Sequence, residues 1–322
     1  MNAQNLSKAT WVHVFAPATV ANMICGYDVL GLALDEPGDE VIMRIMDTPG
    51  VRLRSIKGDD GRLPLDPLLN TVSATVISLL RALGREEVGL EIELIKKMPI
   101  GSGLGSSSAS TVAGLFAANY LLGNPLTTLQ LLPFAMEGET LACGHGHADN
   151  VAPSLFGGIT LIRSYNPLDV VNLPVPEELY AAVLFPHVDV PTRDARKMIR
   201  SKILLQEAVQ QWGNIAGLIA GLYTSDYALI GRSMQDVLIE PTRSILIPEF
   251  EHLKAIALNY SALSFGISGS GPSVVAFTTS GTVAKQLLEA QKQHLNKSDI
   301  DCNTYVSKIN TLGPRILATS NV

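Results

Sequence analysis

Of the 322 residues, 47% are hydrophobic and 17% charged, with a formal net charge of −6. That composition excludes an intrinsically disordered chain, and the lack of a dense basic cluster argues against a nucleic-acid-binding surface. The three cysteines, Cys25, Cys143 and Cys302, are odd in number and far apart, so neither a disulfide framework nor a cysteine metal site is expected.

In chain order, the first residues lack a basic segment followed by an apolar one, so a cytoplasmic chain without a secretory leader is expected. Length predicts two domains. Alternation predicts strands over 11–18 and 40–46, helical spacing covers 67–83, and 89–96 alternates again as Leu90, Ile92 and Leu94 against Glu91, Glu93 and Lys96. Helices over 108–122 and 127–141 follow, then a Gly/His-rich loop and a strand near 158–163. Pro167, Pro174 and Pro176 mark the expected boundary between a domain at 1–166 and another at 167–322. The second half reads as a strand at 179–185, helices at 192–199, 201–222, 225–238 and 248–259, strands at 263–266 and 273–278, a helix at 283–295 and a final strand at 304–309. Within 204–222 the apolar run is broken by Gln206, Glu207, Gln210, Gln211 and Asn214, so no membrane span is expected. The fold class is α+β.

The most chemically specific stretch is Pro99-Ile100-Gly101-Ser102-Gly103-Leu104-Gly105-Ser106-Ser107-Ser108. Glycines that accept positive φ let successive N–H groups converge on one anion, and a following helix N-terminus adds partial positive charge. It reads as a phosphate cradle, although it lacks the Lys-Ser/Thr ending of a P-loop and fits no dinucleotide fingerprint. The plainer reading is a flexible Gly/Ser connection.

Taken together, Pro17 to Asp28, the Pro99 loop, and Gly266-Ile267-Ser268-Gly269-Ser270-Gly271-Pro272 resemble, in order and separation, the three signature motifs of the GHMP kinases. The resemblance spans most of the chain. It implies the GHMP kinase two-domain fold: an ATP-binding N-terminal domain like domain 2 of ribosomal protein S5, and a ferredoxin-like α/β sandwich. Four further stretches, 28–33, 147–154, 191–196 and 240–243, are most similar to the branch that phosphorylates L-homoserine in threonine biosynthesis. A family member acting on shikimate, mevalonate or a sugar, or a non-catalytic ligand sensor on the same fold, stays open at this point.

The resemblance implies ATP and Mg²⁺ as cofactors, L-homoserine as the small-molecule partner, and a homodimer. It assigns Arg196 and Arg243 to the substrate carboxylate, where a guanidinium binds in a bidentate fork, with Arg193 the less favoured neighbour. Asp28 would accept from the substrate ammonium, with Asn22, His147 and Thr192 completing the pocket. Ser107 and Glu139 would hold the metal, and Glu137, two residues away and on a different helix face, competes with Glu139. Asn150 stands where mevalonate-type relatives carry a basic aspartate, and would orient the substrate. Catalysis would thus rest on Asn150, Glu139 and Ser107. Asn70 would contact the adenosine, Lys96 or Lys97 would flank the nucleotide, and the third loop would support the phosphates. One departure is Met23-Ile24-Cys25-Gly26, where the family usually carries smaller residues, so a bulkier loop beside the substrate is expected.

Overall fold

The computed structural model describes residue 7, residues 9–188 and residues 198–320. Two sheets organise them. The first has seven strands: β1 (Trp11–Ala21), β2 (Leu30–Met46), β3 (Gly50–Lys57), β4 (Gly89–Ile95), β5 (Ile159–Tyr165), β6 (Leu168–Leu173) and β11 (Arg315–Thr319). Its main path runs β11-β1-β2-β4-β3, and β5 pairs with both β2 and β6.

β2 organises this sheet and is far longer than the sequence pattern predicts. Its first half, Leu30 to Leu34, is uniformly buried and so lacks alternation, and Asp35-Glu36-Pro37-Gly38 reads locally as a turn. Pairing overrides that local signal. Gly31 to Ala33 lie opposite Thr19 to Ala21, and Gly38 to Arg44 lie opposite Trp11 to Pro17, with a register shift in β1 between Pro17 and Thr19.

Against this sheet pack α1 (Thr71–Ala82) and α2 (Ser106–Leu121), and α3 (Thr128–Cys143) packs on those two helices. Nearly every side of α2 is apolar or small, and it is buried along most of its length, as a central helix must be. The short α4 (Val151–Phe156) joins them.

The second sheet is antiparallel, with order β10-β7-β9-β8, built from β7 (Tyr180–Pro186), β8 (Ser264–Ile267), β9 (Val274–Thr278) and β10 (Cys302–Lys308). Alternation along β7 and β9 divides its residues between two cores. Ala182, Leu184, Val274 and Ala276 face α8 (Phe250–Asn259) and α9 (Gly281–Asn296). Ala181, Val183, Val275 and Phe277 join the larger core with Leu218, Leu222 and Ile230 of α5 (Leu205–Thr224) and α6 (Tyr227–Ser233). A single turn, α7 (Glu240–Arg243), precedes a 3₁₀ turn at Ser244–Leu246.

The expected break at 166/167 lies inside the turn between β5 and β6, and β11, absent from the sequence reading, returns to pair with β1. The strand over 304–309 is therefore not the last. Sheet membership, rather than one point in the chain, separates the two halves. Among the described residues no helix is long and apolar enough to cross a membrane.

Candidate active site

The loop between β4 and α2 adopts the conformation its glycines allow: Gly101, Gly103 and Gly105 have φ of 76°, 79° and 65°. Gly105 caps α2, which begins at Ser106, two residues earlier than predicted. At Gly103 a Cβ would sit 2.7 Å from the Ser268 carbonyl oxygen and 2.8 Å from that of Gly271, so only glycine fits beneath the third loop. That third loop is a buttress. Ser268 Oγ donates to the Gly103 carbonyl at 2.8 Å, and the Ser273 N–H donates to that of Ser102 at 3.1 Å.

Lys96 lies beneath α2 and lines a cavity there, with its ammonium engaged by protein groups. Its buried ammonium pairs with the fully buried Asp39 and donates to the Ser106 carbonyl at 2.9 Å and to Ser110 Oγ at 2.7 Å. Burial pulls the Lys96 pKa down, and the Asp39 charge opposes that shift. Asp39 also accepts from the Lys97 N–H at 2.9 Å, so this pair holds the first turn of α2 in place. Lys97 turns its ammonium to Glu40. Lys96→Met is expected to destabilise the protein by about 3–5 kcal/mol, because it strands a buried carboxylate. A chemical-denaturation midpoint measures this, and an unchanged midpoint would refute it.

The phosphate loop walls a cavity of about 380 Å³ together with Leu63, Pro64, Leu69, Asn70, Glu139 and Ser270. Ile100, Gly101, Ser102, Gly103, Gly105, Ser106, Ser107 and Ser108 line it. Pro99 and Leu104 do not: Leu104 is fully buried in the core and anchors the loop from behind. Ser102 Oγ is buried without a partner among the described residues, as a hydroxyl reserved for a ligand would be. The expected adenosine contact Asn70 lines the wall, but its Oδ1 caps α1 at Val72 N (3.1 Å) and its Nδ2 donates to the Pro64 carbonyl (3.1 Å).

A second, smaller cavity of about 90 Å³ is lined by Asn22, Tyr27, Asp28, His147, Asp149 and Arg243. His147 Nδ1 lies 3.5 Å from Asp28 Oδ2, and the Tyr165 hydroxyl donates to the Asp28 carbonyl at 2.8 Å. Arg243 is buried, donates to the Gly269 carbonyl at 3.1 Å and stacks over Tyr27 at 5.3 Å. Asn22 Nδ2 donates to the same carbonyl at 3.0 Å, while its Oδ1 accepts from the Asp28 N–H at 3.0 Å. Both charge signs therefore face one small space. Thr192, Arg193 and Arg196 lie outside the described residues.

The two cavities share Glu139, Cys143, Asn150, Gly269 and Ser270. Glu139 is buried on α3 and lines both cavities, whereas its competitor Glu137 is exposed and lines neither. Ser107, the other expected metal ligand, lines the larger cavity half-buried, and Ser108 Oγ donates to Glu139 Oε1 at 2.8 Å. Burial pushes the Glu139 carboxyl up to about 7, and the Ser108 hydrogen bond only partly offsets this. A carboxylate and hydroxyl oxygens in this wall suit a hard divalent cation. With a folded-state value above the unfolded one, the stability Glu139 contributes is present at low pH and lost as pH rises towards 7. The ligand-free protein should accordingly lose on the order of 3 kcal/mol from this group between pH 4.5 and 7. Glu139→Gln should flatten that part of the stability profile, and an identical profile in the variant would contradict it.

The bulky residues of the first loop wall neither of these two cavities. Met23, Ile24 and Cys25 are buried in the core, and burial raises the Cys25 thiol to about 12. Thr19, Asp39, Tyr27 and Ser270 were not singled out by sequence reasoning. Thr19 and Tyr27 lie inside the first motif, whereas nothing near Asp39 in sequence marks it. A surface depression of about 1080 Å³ shares no wall residue with either cavity.

The family model for the GHMP kinases N terminal domain matches residues 70–158, and that for the GHMP kinases C terminal matches residues 218–297. A homoserine kinase of Chloroherpeton thalassium is 46% identical over 313 residues, covering 94% of this chain and 98% of that protein. The crystal structure of a homoserine kinase from Cytophaga hutchinsonii superposes with a TM-score of 0.94 at 56% identity, covering 98% of this chain and 100% of that one. The L. major mevalonate kinase in complex with R-mevalonate shares the fold alone, with a TM-score of 0.69 at 16% identity, covering 92% of this chain and 95% of that one.

Proposed function

Because the chain belongs to the GHMP kinase family, we propose that it transfers the γ-phosphoryl group of ATP to the side-chain hydroxyl of L-homoserine, giving O-phospho-L-homoserine, a step of threonine biosynthesis. The observation that carries this reading is the meeting of two chemically different cavities at Glu139 and Asn150. One is a phosphate cradle with an apolar end at Leu63, Pro64 and Leu69. The other presents Asp28 and Arg243, a match for an amino acid's ammonium and carboxylate.

In this reading the loop amides, Ser102 Oγ and the N-terminus of α2 bind the ATP phosphates. Glu139 and Ser107 would hold Mg²⁺, which supplies charge neutralisation on the β- and γ-phosphates. Arg243 and Asp28 fix the amino-acid end, so that the free hydroxyl of homoserine points to the junction. Asn150 has no ionisable side chain and cannot take a proton. The hydroxyl attacks directly, and its proton passes to a phosphoryl oxygen. Catalysis then rests on alignment and charge stabilisation, which dominate phosphoryl transfer.

The test is ADP release with L-homoserine, mevalonate, shikimate and galactose assayed side by side on the purified protein. Turnover confined to L-homoserine is the expected result. Preference for another acceptor would reassign the substrate, and tight ATP binding without turnover would favour a ligand sensor.

A further inference from the structure

Resting on the reading above, in which Asn150 meets the reacting oxygens, we propose that Thr19 is a positioning residue. It fixes Asn150 so that the amide nitrogen, not the amide oxygen, faces the junction of the two cavities. An asparagine cannot set its own orientation, because the two ends of the amide are nearly identical in shape. A fixed neighbour with one kind of group to offer can.

Thr19 is fully buried in β1, and its Oγ1 lies 2.7 Å from Asn150 Oδ1 at the start of α4. Among the described residues, no other acceptor takes the Thr19 hydroxyl proton. A buried hydroxyl that failed to donate would carry an unspent donor, which costs free energy, so Thr19 donates and the Asn150 oxygen accepts. The amide N–H pair must then point elsewhere. No protein group among the described residues accepts from it, and Asn150 walls both cavities.

What Asn150 offers at the junction is therefore a donor. The oxygens that meet there are those of the γ-phosphoryl group, which carry negative charge, and the acceptor hydroxyl with its lone pairs. A donor attracts both, whereas an amide oxygen in the same place would repel the phosphoryl oxygens.

Thr19 also ties this donor to the phosphate loop. Its N–H donates to the Leu104 carbonyl at 3.0 Å. A Cβ on Gly105 would fall 2.1 Å from Thr19 Oγ1 and 2.9 Å from Asn150 Oδ1, so the loop closes over this pair only with glycine there. One residue, through its backbone N–H and its side-chain hydroxyl, thus sets the cradle and the acceptor-side amide in a common frame.

The experiment is initial-rate kinetics on Thr19→Val, Thr19→Ser and Asn150→Ala, with the Thr19→Val/Asn150→Ala double variant closing the cycle. Thr19→Val keeps the shape and loses the donor. Its kcat should fall roughly 10- to 100-fold while KM for ATP and the melting temperature stay at wild type. Thr19→Ser should keep most of the rate. In the Asn150→Ala background the valine substitution should cost nothing further, since both changes remove one function. A wild-type kcat in a folded Thr19→Val protein, or a full loss persisting in the double variant, would overturn the proposal. If the valine variant does not fold, Thr19→Ala, which likewise lacks the hydroxyl donor, takes its place with the same two outcomes. A wild-type protein inactive on L-homoserine would instead sink the underlying reading.

Discussion

Glu139→Gln is expected to lower kcat by roughly 10²- to 10³-fold while the protein stays folded. Glutamine keeps the shape of the side chain and an oxygen for the Ser108 hydroxyl, which lies 2.8 Å from Oε1. What it removes is the negative charge in the shared wall of the two cavities. A buried carboxylate whose burial raises it to about 7 is costly to keep ionised, and in the proposed reaction the divalent cation offsets that cost. The loss should appear mainly in kcat, with a raised requirement for Mg²⁺. Glu137→Gln, exposed on the same helix, should behave as wild type. Steady-state rates across a Mg²⁺ titration measure both, and equal losses in the two variants would contradict the assignment.

The second large effect concerns the acceptor. Arg243→Ala should raise KM for L-homoserine by about 10²-fold, the scale of one charge-assisted, bidentate contact. KM for ATP should hardly move, because Arg243 walls the small cavity and not the larger one. Arg243→Lys should rescue only partly. The guanidinium donates to the Gly269 carbonyl at 3.1 Å and stacks over Tyr27 at 5.3 Å, so it is held in one orientation that a flexible ammonium does not reproduce. An alanine variant with unchanged KM for homoserine would remove Arg243 from the carboxylate site.

What could be read from sequence was what depends on local chemistry. Gly101, Gly103 and Gly105 announce positive φ because few other residues adopt it, and all three adopt it. The small cavity also gathers Asn22, Asp28, His147 and Arg243, which the motifs had put together. Long-range pairing was not legible. Lys96 looks like a solvated strand-end lysine until Asp39, 57 residues earlier, folds beneath it. The edge strand β11 is short and mostly exposed, and only its pairing with β1 defines it. Which serine of α2 faces Glu139 was not legible either, because the Ser108–Glu139 hydrogen bond joins residues 31 positions apart and depends on how α2 packs against α3. Thr19 lay within the first motif, but its role depends on Asn150, 131 residues away.

The central claim is that phosphoryl donor and acceptor meet where the two cavities share Glu139 and Asn150. A crystal structure of the protein with Mg²⁺, a non-hydrolysable ATP analogue and L-homoserine tests it most directly. The account predicts the terminal phosphoryl group between these two residues, with the homoserine hydroxyl aligned on it and the amino-acid end at Asp28 and Arg243. Nucleotide bound outside the Gly101 to Gly105 cradle, or homoserine bound away from Asp28 and Arg243, would contradict it.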